Sequence, residues 1–481
     1  MFETFEETLD PEDWRALRRQ GHRMLDDMFD YLESLRERPV WQPIPEEVRA
    51  VFHTPMPKEG CDLADVHATF MSDVLPYAIG NAHPGFMGWV HGGGTAVGML
   101  AEMLAAGLNA NLGGREQIPV ELERQMVRWV RDLFGFPDGA SGLFVTGTSM
   151  ANLIAVLVAR TRFLGSSVRE VGVSGKLVAY ASSSAHVSIA QAMDIAGLGA
   201  ASMRKIAVDS QYAMNVDELE LAIERDIAAG LRPFLIAATA GTVDVGAIDP
   251  LARIAEIAGR FGLWMHVDGA YGALGMLADD IAPRLKGIER ADSIAFDFHK
   301  WGQVPYDAGF VLVRDGELHY NAFASAAAYL QRQTRGMAAG SPWPCDFGPD
   351  LSRGFRALKT WFTLQVYGSE KLGRVISNTC AQARYLRARV QEEPMLELLA
   401  PVALNIVCFG YRCIDADRVN AQIVVVLQES GIAAPSTTTI DGRLAIRAAI
   451  VNHRTMACDI DALIDAVLAF GADIVREGTG L

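Results

Sequence analysis

Apolar residues recur at helical spacing in the first part of the chain. They follow Asp10 and Pro11, which are typical of a helix start, and the pattern ends near Pro39. A proline-punctuated stretch then leads into a second helix, predicted at about residues 62–75. Such an arm has too little mass to bury a core of its own, so we expect it to pack on another subunit. The apolar positions of the first helix are Leu17, Met24, Leu25, Met28, Leu32 and Leu35.

Between about residues 86 and 362 the pattern changes to short apolar runs that alternate with helical segments. The runs are rich in β-branched and aromatic residues and are apolar on both faces, as expected of strands that are covered on two sides. Alternating strands and helices of this kind predict a mainly parallel sheet with helices on both faces. The strand candidates are LFVTG, KLVAYA, FLIAATAG, LWMHVDG, DSIAFD and GFVLVR, and the helix candidates are ANLIAVLVARTRF, ELELAIERDIAA and LARIAEIAGRF.

After Arg356 a long helical region extends to about Gln391, and mixed strand and helix patterns follow it. They predict a smaller α+β domain. We therefore expect three parts: an N-terminal helical dimerisation arm (1–85), a large α/β domain (86–362) and a small C-terminal α+β domain (363–481).

Composition and charge exclude several classes of protein. Half of the 481 residues are apolar, which is enough for large buried cores. Acidic residues number 58 against 43 basic ones, and a net charge of −15 without a basic tract makes a nucleic-acid partner unexpected. No apolar run reaches the roughly 18 residues that a membrane-spanning helix needs. The acidic first residues lack the pattern of a secretory signal, and six scattered cysteines argue against a disulfide scaffold, so we expect a cytoplasmic protein.

Two predicted strands end in residues that can do chemistry. Asp268 ends the run LWMHVDG, and His299 and Lys300 follow DSIAFD. Ligands of open parallel sheets gather at the carboxyl ends of strands. A lysine with aromatic neighbours is desolvated there, which favours the neutral, nucleophilic amine. The alternatives are a capping role for Asp268 and a lysine at the sheet edge that extends its amine to water.

Two predicted helix starts could bind the rest of a ligand. In LFVTGTSMANL, a turn at Gly147 leads into a helix with Thr148 and Ser149 at its start, where free amides and hydroxyls suit a phosphate. An ordinary serine N-cap is the alternative. His186 also stands between a strand and a helix, where a structural hydrogen-bonding role is the alternative to catalysis.

The sequence argues against a metal site and against a nicotinamide site. His266 and Asp268 could face the same side of a strand, but no third metal ligand stands at a supporting spacing. The turn TGTSMAN lacks the GxGxxG order that lets a pyrophosphate approach. A phosphate site, a carboxylate, a ring-stacking residue and a buried lysine are together what pyridoxal phosphate requires.

The ordered set of motifs resembles the pyridoxal-phosphate-dependent group II decarboxylases, the family of aromatic-L-amino-acid, histidine and glutamate decarboxylases. The resemblance covers nearly the whole chain, and HVDGAYG followed by DFHKW is its strongest part. It includes RPVW, NAHPGFMGWV, PVELE, TGTSMANL, SSSAHVSIA, ATAGTVDVGAIDP, HVDGAYG, ADSIAFDFHKW and FRALKTWF.

Carried over position by position, the resemblance implies that Lys300 binds the cofactor covalently. Asp268 would pair with the ring nitrogen, and His186 would stack on the ring. The other implied contacts with the cofactor are those of Thr148, Ser149, Thr242, Ala270, Asp297 and His299. The family also implies an aminotransferase-like large domain of fold type I and a homodimer whose N-terminal arms embrace.

Three departures from the family pattern bear on the reaction. Asp297 stands where the family often has asparagine, and Val243 where a second threonine is common. The predicted lid, residues 331–353, has no tyrosine, although many aromatic-amino-acid decarboxylases use a lid tyrosine as proton donor. Either another acid such as His186 or water supplies the proton, or the carbanion meets oxygen and yields an aldehyde.

The expected substrate is an L-amino acid, and the residues near position 90 favour an aromatic one. Trp89 and His91 are the candidate substrate contacts, and we identify no arginine placed to receive glutamate. The predicted reaction releases the amine and CO2. An aldehyde synthase, a carbon–carbon lyase and a non-catalytic scaffold with this fold are the alternatives.

Overall fold

The computed structural model describes residues 8–324 and 332–478. Residues 1–7 of the predicted arm, 479–481 of the predicted small domain and residue 331 of the predicted lid lie outside the described residues. The α-helices are α1 Trp14–Glu33, α2 Glu46–Val51, α3 Leu63–Thr69, α4 Ala96–Leu108, α5 Ile118–Leu133, α6 Thr148–Leu164, α7 Val168–Val171, α8 Val187–Ile195, α9 Val216–Ala228, α10 Leu251–Phe261, α11 Gly316–Phe323, α12 Arg356–Glu392, α13 Ala416–Ser430 and α14 Ala457–Gly478. The strands are β1 Phe86–Met87, β2 Ser141–Val145, β3 Leu177–Ser182, β4 Met203–Ile206, β5 Arg232–Thr239, β6 Trp264–Asp268, β7 Ser293–Asp297, β8 Gly309–Val313, β9 Leu396–Leu398, β10 Ile406–Tyr411, β11 Ala434–Ile440 and β12 Arg443–Ala449.

The large sheet has the strand order β2-β8-β7-β6-β5-β3-β4 within the described ranges. Neighbours from β4 across to β7 are parallel, and only β8 runs against both of its neighbours. The prediction of a mainly parallel sheet in an α/β fold is therefore confirmed. Strand β4 was not predicted, because its sequence MRKI carries two charges and only its last residue is buried.

Burial on both faces explains why these strands read as continuous apolar runs. Every residue of β3, β6, β7 and β8 is buried. Helix α6 is buried along most of its length against the sheet, where it contacts β7 and β8. Because α6 begins directly after β2, its first turn lies at one end of the sheet, beside the ends of the parallel strands.

The small sheet has the order β1-β11-β12-β10-β9 and packs with α13 and α14. Strand β1 pairs in parallel with β11, so the first residues predicted for the large domain contribute to this sheet. Helix α12 runs across the predicted boundary at residue 362, and its helical backbone is interrupted at Gly368 (φ 73°). The division into parts at residues 85 and 362 stays a prediction.

The arm begins with helix α1, which starts three residues beyond the predicted start signal. Asp13 Oδ1 accepts hydrogen bonds from the backbone N–H groups of Arg15 and Ala16 and so forms the N-cap. None of the residues of α1 is buried. The predicted second helix is α3, which continues as a π turn and a 3-10 turn to Tyr77. No helix among the described residues is long and apolar enough to cross a membrane.

Candidate active site

A cavity of about 390 Å³ lies where β5, β6 and β7 end and α6 and α8 begin. It brings together every predicted site residue except Thr242. Its lining consists of Trp89, Val90, His91, Thr146, Gly147, Thr148, Ser149, His186, Ser188, Thr239, Gly241, Val243, Asp268, Ala270, Tyr271, Asp297, His299, Lys300 and Tyr306.

Asp268 is a buried carboxylate held entirely by hydrogen-bond donors of the protein. It ends β6 with 3% of its surface exposed. Asn152 Nδ2 donates to Oδ2 over 3.0 Å, and the backbone N–H of Ala270 donates to Oδ1 over 3.1 Å. Burial raises the pKa of Asp268, and the hydrogen bond from Asn152 and the positive charge of Lys300 oppose that rise. A cation placed against this carboxylate would therefore be bound strongly.

Lys300 follows β7 and forms an ion pair with the residue that ends the strand. Its Nζ lies 3.1 Å from Asp297 Oδ2. His299 Nε2 lies 3.5 Å from the same oxygen, while His299 Nδ1 accepts the backbone N–H of Ala308 over 3.0 Å. Burial lowers the pKa of His299 to about 4, so its ring is neutral at pH 7 and carries its proton on Nε2.

The start of α6 forms the end of the cavity that suits an anion. The first backbone N–H groups of a helix have no acceptor within the helix, and Thr148 and Ser149 are the first two residues of α6. The hydroxyl of Thr148 is buried and has no hydrogen-bond partner among the described residues. A buried donor without a partner is costly, and an anion at this helix start would satisfy it.

A close approach of two backbones shapes this turn. A Cβ atom on Gly309 would lie 2.4 Å from Gly147 Cα, so only glycine at position 309 lets β8 approach the turn before α6. The position of Thr148 at the cavity therefore depends on the lack of a side chain at Gly309, the first residue of β8.

His186 caps the helix that follows β3. The backbone N–H of Ser188 donates to His186 Nδ1 over 3.2 Å, and Ser188 Oγ lies 2.8 Å from the same nitrogen. A backbone N–H can only donate, so Nδ1 is an acceptor, and the neutral ring carries its proton on Nε2. His186 therefore has the structural hydrogen-bonding role that the sequence left open as an alternative, and its ring also lines the cavity.

Thr242 is placed in the turn after β5, away from the cavity lining. Its hydroxyl is buried and accepts the backbone N–H of Ala247 over 2.9 Å. The neighbours Gly241 and Val243 line the cavity instead. As placed here, Thr242 holds the shape of the turn.

One wall of the cavity is a series of aromatic rings. His91 stacks with Trp89 at 5.9 Å between ring centroids and meets Tyr306 edge-on at 5.7 Å. The ring of Tyr306 lies 4.2 Å from that of His299. Burial and the charge of Asp297 raise the pKa of Tyr306, which keeps its hydroxyl protonated. Sequence reasoning missed Tyr306, although it stands only six residues after Lys300.

Arg447 supports the wall from behind. It is 3% exposed, and it donates to the backbone carbonyls of Trp89 and Val243 and to Ser436 Oγ. Because its donors are used on these groups, Arg447 is not directed at a ligand. The backbone of Trp89 has a positive φ of 47°, and the hydrogen bond from Arg447 holds it in that conformation.

The described part of the predicted lid, residues 332–353, does not contribute to the cavity lining. Trp343 is buried, and two guanidinium groups lie over its ring. The Cζ atom of Arg332 is 3.5 Å and that of Arg115 is 4.4 Å from the ring centroid. At the end of the segment, Arg353 forms a buried ion pair with Glu123. The middle of this stretch, at Trp343, and its C-terminal end, at Arg353, are thus packed on the large domain.

Both ring nitrogens of His266, the metal-ligand candidate, are used within the protein. Nε2 lies 2.8 Å from Asn152 Oδ1, and Nδ1 lies 2.9 Å from Ser293 Oγ. Within residues 8–324 and 332–478, no group of three metal-ligating side chains comes together.

The groups around the cavity fit pyridoxal phosphate. The unsatisfied Thr148 hydroxyl and the α6 start suit its phosphate, the desolvated Asp268 suits a protonated ring nitrogen, and Lys300 offers an amine for its aldehyde. Ala270, Asp297 and His299 complete the lining on the strand side.

Comparison with known proteins agrees with this fit. Residues 45–412 match the family model described as the pyridoxal-dependent decarboxylase conserved domain. The chain is 29% identical over 469 residues to the aromatic-L-amino-acid decarboxylase of Bacillus atrophaeus, with 95% of this chain and 96% of that protein covered. It is 30% identical over 460 residues to the phenylacetaldehyde synthase of Arabidopsis thaliana, covering 92% and 93%. Among solved structures, the tryptophan decarboxylase of Catharanthus roseus in complex with L-tryptophan superposes with a TM-score of 0.86 at 25% identity, covering 97% of this chain and 100% of that one.

Proposed function

This chain belongs to the pyridoxal-dependent decarboxylase family, and we propose that it converts an aromatic L-amino acid to its amine and CO2. The observation that carries the proposal is the single cavity in which Lys300, Asp268 and the start of α6 meet beside an aromatic wall. When bound, pyridoxal phosphate supplies an acceptor for the electron pair that remains when CO2 leaves.

Each side chain then has a separate task. Lys300 would hold the cofactor through its aldehyde. Asp268 would accept a hydrogen bond from the protonated ring nitrogen and so keep the proton there, which is what would make the ring an effective acceptor. His186 would pack on the ring. Thr148 and Ser149 would donate to the phosphate, and His299 would lie beside it as a neutral donor through Nε2.

An aromatic substrate is favoured by the rings of Trp89, His91 and Tyr306. Apolar rings of this kind bind another ring by stacking and edge contacts. An acidic side chain would need a cation, and the buried guanidinium nearest the wall, Arg447, spends its donors on backbone carbonyls and Ser436. Two relatives named above, a decarboxylase and an aldehyde synthase, carry aromatic substrates or products in their names.

An aldehyde synthase is the second candidate, favoured by the lack of a tyrosine in residues 331–353. In that reaction one O2 and one water are consumed, and aldehyde, CO2, ammonia and hydrogen peroxide are released. Among the described residues, His186 and Tyr306 are two of the proton donors that line the cavity with Lys300. A proton delivered by either of them before O2 arrives gives the amine.

The test measures CO2, amine, aldehyde and peroxide together. The cofactor-loaded protein is given L-tyrosine, L-tryptophan, L-phenylalanine, L-glutamate and L-2,4-diaminobutyrate in separate reactions. We expect amine to equal CO2 with at least one aromatic amino acid. Peroxide in step with CO2 would establish the aldehyde synthase instead, and turnover confined to glutamate or diaminobutyrate would overturn the aromatic assignment.

The assembly we propose is a homodimer formed through the N-terminal arm. Helix α1 buries none of its residues and exposes Trp14, Leu17 and Phe29. Helix α4 exposes Met103, Leu104 and Leu108 in the same way. Apolar faces of this kind are typical of subunit interfaces. Light scattering should give twice the chain mass of 52.2 kDa, and a monomer at micromolar concentration would contradict the proposal.

The compartment we propose is the cytoplasm. All six cysteines are free thiols, and free thiols persist in a reducing compartment.

The parts that we propose as folding units remain the arm (1–85), the large domain (86–362) and the small domain (363–481).

A further inference from the structure

A continuous chain of buried hydrogen bonds runs behind the cavity, from the indole of Trp264 to the carboxylate of Asp268. Trp264 Nε1 lies 2.8 Å from Ser293 Oγ, which lies 2.9 Å from His266 Nδ1. His266 Nε2 lies 2.8 Å from Asn152 Oδ1. Asn152 Nδ2 then lies 3.0 Å from Asp268 Oδ2. Each residue linked by these hydrogen bonds is 5% exposed or less. We call Trp264, Ser293, His266 and Asn152 the rear chain.

The orientation of Asn152 decides the direction of the bonds in the rear chain. The indole N–H of Trp264 can only donate, so Ser293 Oγ accepts it, and the hydroxyl can then either donate to His266 Nδ1 or accept from it through its second lone pair. Burial lowers the pKa of His266 to about 3, so the ring is neutral and has one proton. If Asn152 presents Oδ1 to His266, that proton is on Nε2 and Nδ1 accepts from Ser293 Oγ.

A branch toward His186 fixes that orientation from the other end. Asn152 Nδ2 also lies 3.0 Å from Ser188 Oγ, which lies 2.8 Å from His186 Nδ1. Because the backbone N–H of Ser188 already makes Nδ1 an acceptor, the Ser188 hydroxyl donates to it as well. Ser188 Oγ is then the acceptor for Asn152. The backbone N–H of Ser188 thus directs the Asn152 N–H groups to Ser188 and Asp268 and the Asn152 Oδ1 to His266, which places the His266 proton on Nε2.

We propose that Asn152 is a positioning residue that serves both Asp268 and His186. One N–H keeps Asp268 an acceptor, ready for a proton-bearing ring nitrogen. The other N–H, through Ser188, keeps the proton of His186 on Nε2. The rear chain holds the amide against rotation, because a flipped Asn152 would set its carbonyl oxygen against the Asp268 carboxylate and its N–H groups against the N–H of His266. The role of Asn152 toward Asp268 rests on the proposed function, whereas the proton positions of His266 and His186 do not.

The first measurement needs no cofactor and uses variants only to assign the signals. Full-length protein labelled with ¹⁵N at histidine is examined by NMR at pH 7.5, and H266Q and H186Q spectra assign the two rings. We expect His266 to be neutral with its proton on Nε2, and Nδ1 of His186 to carry no proton. A proton on Nδ1 of His266, or a doubly protonated His266, would overturn the proposal.

The second measurement uses Asn152→Leu, which keeps the branching of the side chain at Cγ and removes the amide. The control is Asn405→Leu, which removes another fully buried amide, one that donates to the carbonyl of Ile450. The probe is the cofactor without its aldehyde, 4′-deoxypyridoxine 5′-phosphate, which cannot bond to Lys300. A second probe carries carbon in place of the ring nitrogen.

We expect Asn152→Leu to weaken binding of the nitrogen-containing probe by roughly tenfold or more, because the lost hydrogen bond is one to a charged group. Binding of the carbon-ring probe should be unchanged, and Asn405→Leu should change neither. Equal weakening of both probes would reduce Asn152 to a structural residue, and no weakening would remove its role at Asp268. Failure of the native protein to bind either probe would overturn the proposed function, while the histidine spectra would still decide the proton positions.

Discussion

Lys300 and the buried Asp297 form an ion pair, with Nζ 3.1 Å from Oδ2, at the end of β7. The other carboxylate oxygen, Oδ1, has no hydrogen-bond partner among the described residues and faces Gly147, at the turn before α6. The site therefore carries an extra negative charge between the amine and the expected phosphate. Where asparagine stands at this position, that charge is lacking.

Asp297→Asn should strengthen cofactor binding. Like charges a few ångströms apart repel by about 1–4 kcal/mol, so removal of the carboxylate should tighten binding of the phosphate by roughly tenfold. The loss of the anion beside Lys300 also favours the neutral amine, so covalent capture of pyridoxal phosphate by the cofactor-free protein should be faster. Stopped-flow absorbance follows the capture. Asp292→Asn, just before the start of β7, is the control that should leave it unchanged, and slower capture by Asp297→Asn would contradict the prediction.

Asp268→Asn should impair turnover far more than folding. The replacement keeps the shape of the side chain but removes the charge that holds a proton on the ring nitrogen, and loss of one preorganised electrostatic group costs roughly 10²–10³ in kcat. Steady-state kinetics and a thermal melt measure the two effects. Asp249→Asn is the matched contrast, since Asp249 is buried, does not line the cavity, and accepts the backbone N–H groups of Met214 and Thr239. That variant should melt earlier while its folded fraction keeps normal kcat, and equal kcat losses in the two variants would contradict the assignment.

The ion pair of Arg353 and Glu123 should stabilise the large domain only as a pair. Both side chains are 3% exposed or less, and Arg353 Nη2 lies 2.6 Å from Glu123 Oε1. Arg353→Met leaves a buried carboxylate without its cation, which costs about 3–5 kcal/mol. The double variant Arg353→Met, Glu123→Leu should recover much of that loss. Urea unfolding compares them, and a double variant no more stable than Arg353→Met would show that the cost has another origin.

Acid should destabilise the fold through buried neutral histidines. Burial lowers the pKa of His319 to about 4, against about 6.5 in an unfolded chain. Between these values the unfolded chain binds a proton that the folded one does not, so this stability is present above pH 6.5 and is lost as the pH falls to 4. In His319→Gln the pH slope of unfolding free energy should be shallower by about 1.4 kcal/mol per pH unit in that range. Exposed His53→Gln is the control, and an unchanged slope in His319→Gln would contradict the prediction.

Residues at strand ends were predictable from the sequence because two local signals coincide there. A run of buried residues marks β6 and β7, and the first polar residue after each run marks the edge where parallel strands end. Asp268, His299 and Lys300 follow from that pattern, and α6 follows from its apolar length after a glycine turn. Thr242 shows the limit of the pattern, because a hydroxyl in a turn after a strand can face the turn or the cavity with the same sequence.

The residues that support the site could not be predicted in this way. Asn152 stands in TGTSMAN, but its partner His266 is 114 positions away, and only the sheet order brings them together. Arg447 reaches the backbone of Trp89 across 358 positions. Such contacts are decided by tertiary packing, and an asparagine or arginine in a helix or strand carries no local sign of them.

The most direct test of the account locates the cofactor on the chain. The protein loaded with pyridoxal phosphate is treated with borohydride, which makes the carbon–nitrogen link to a lysine permanent, and its peptides are examined by mass spectrometry. The account predicts the reduced cofactor on Lys300, with Lys300→Arg unlabelled and the buried Lys359 unmodified in both proteins. A cofactor found on another lysine, or a native protein without any label, would contradict it.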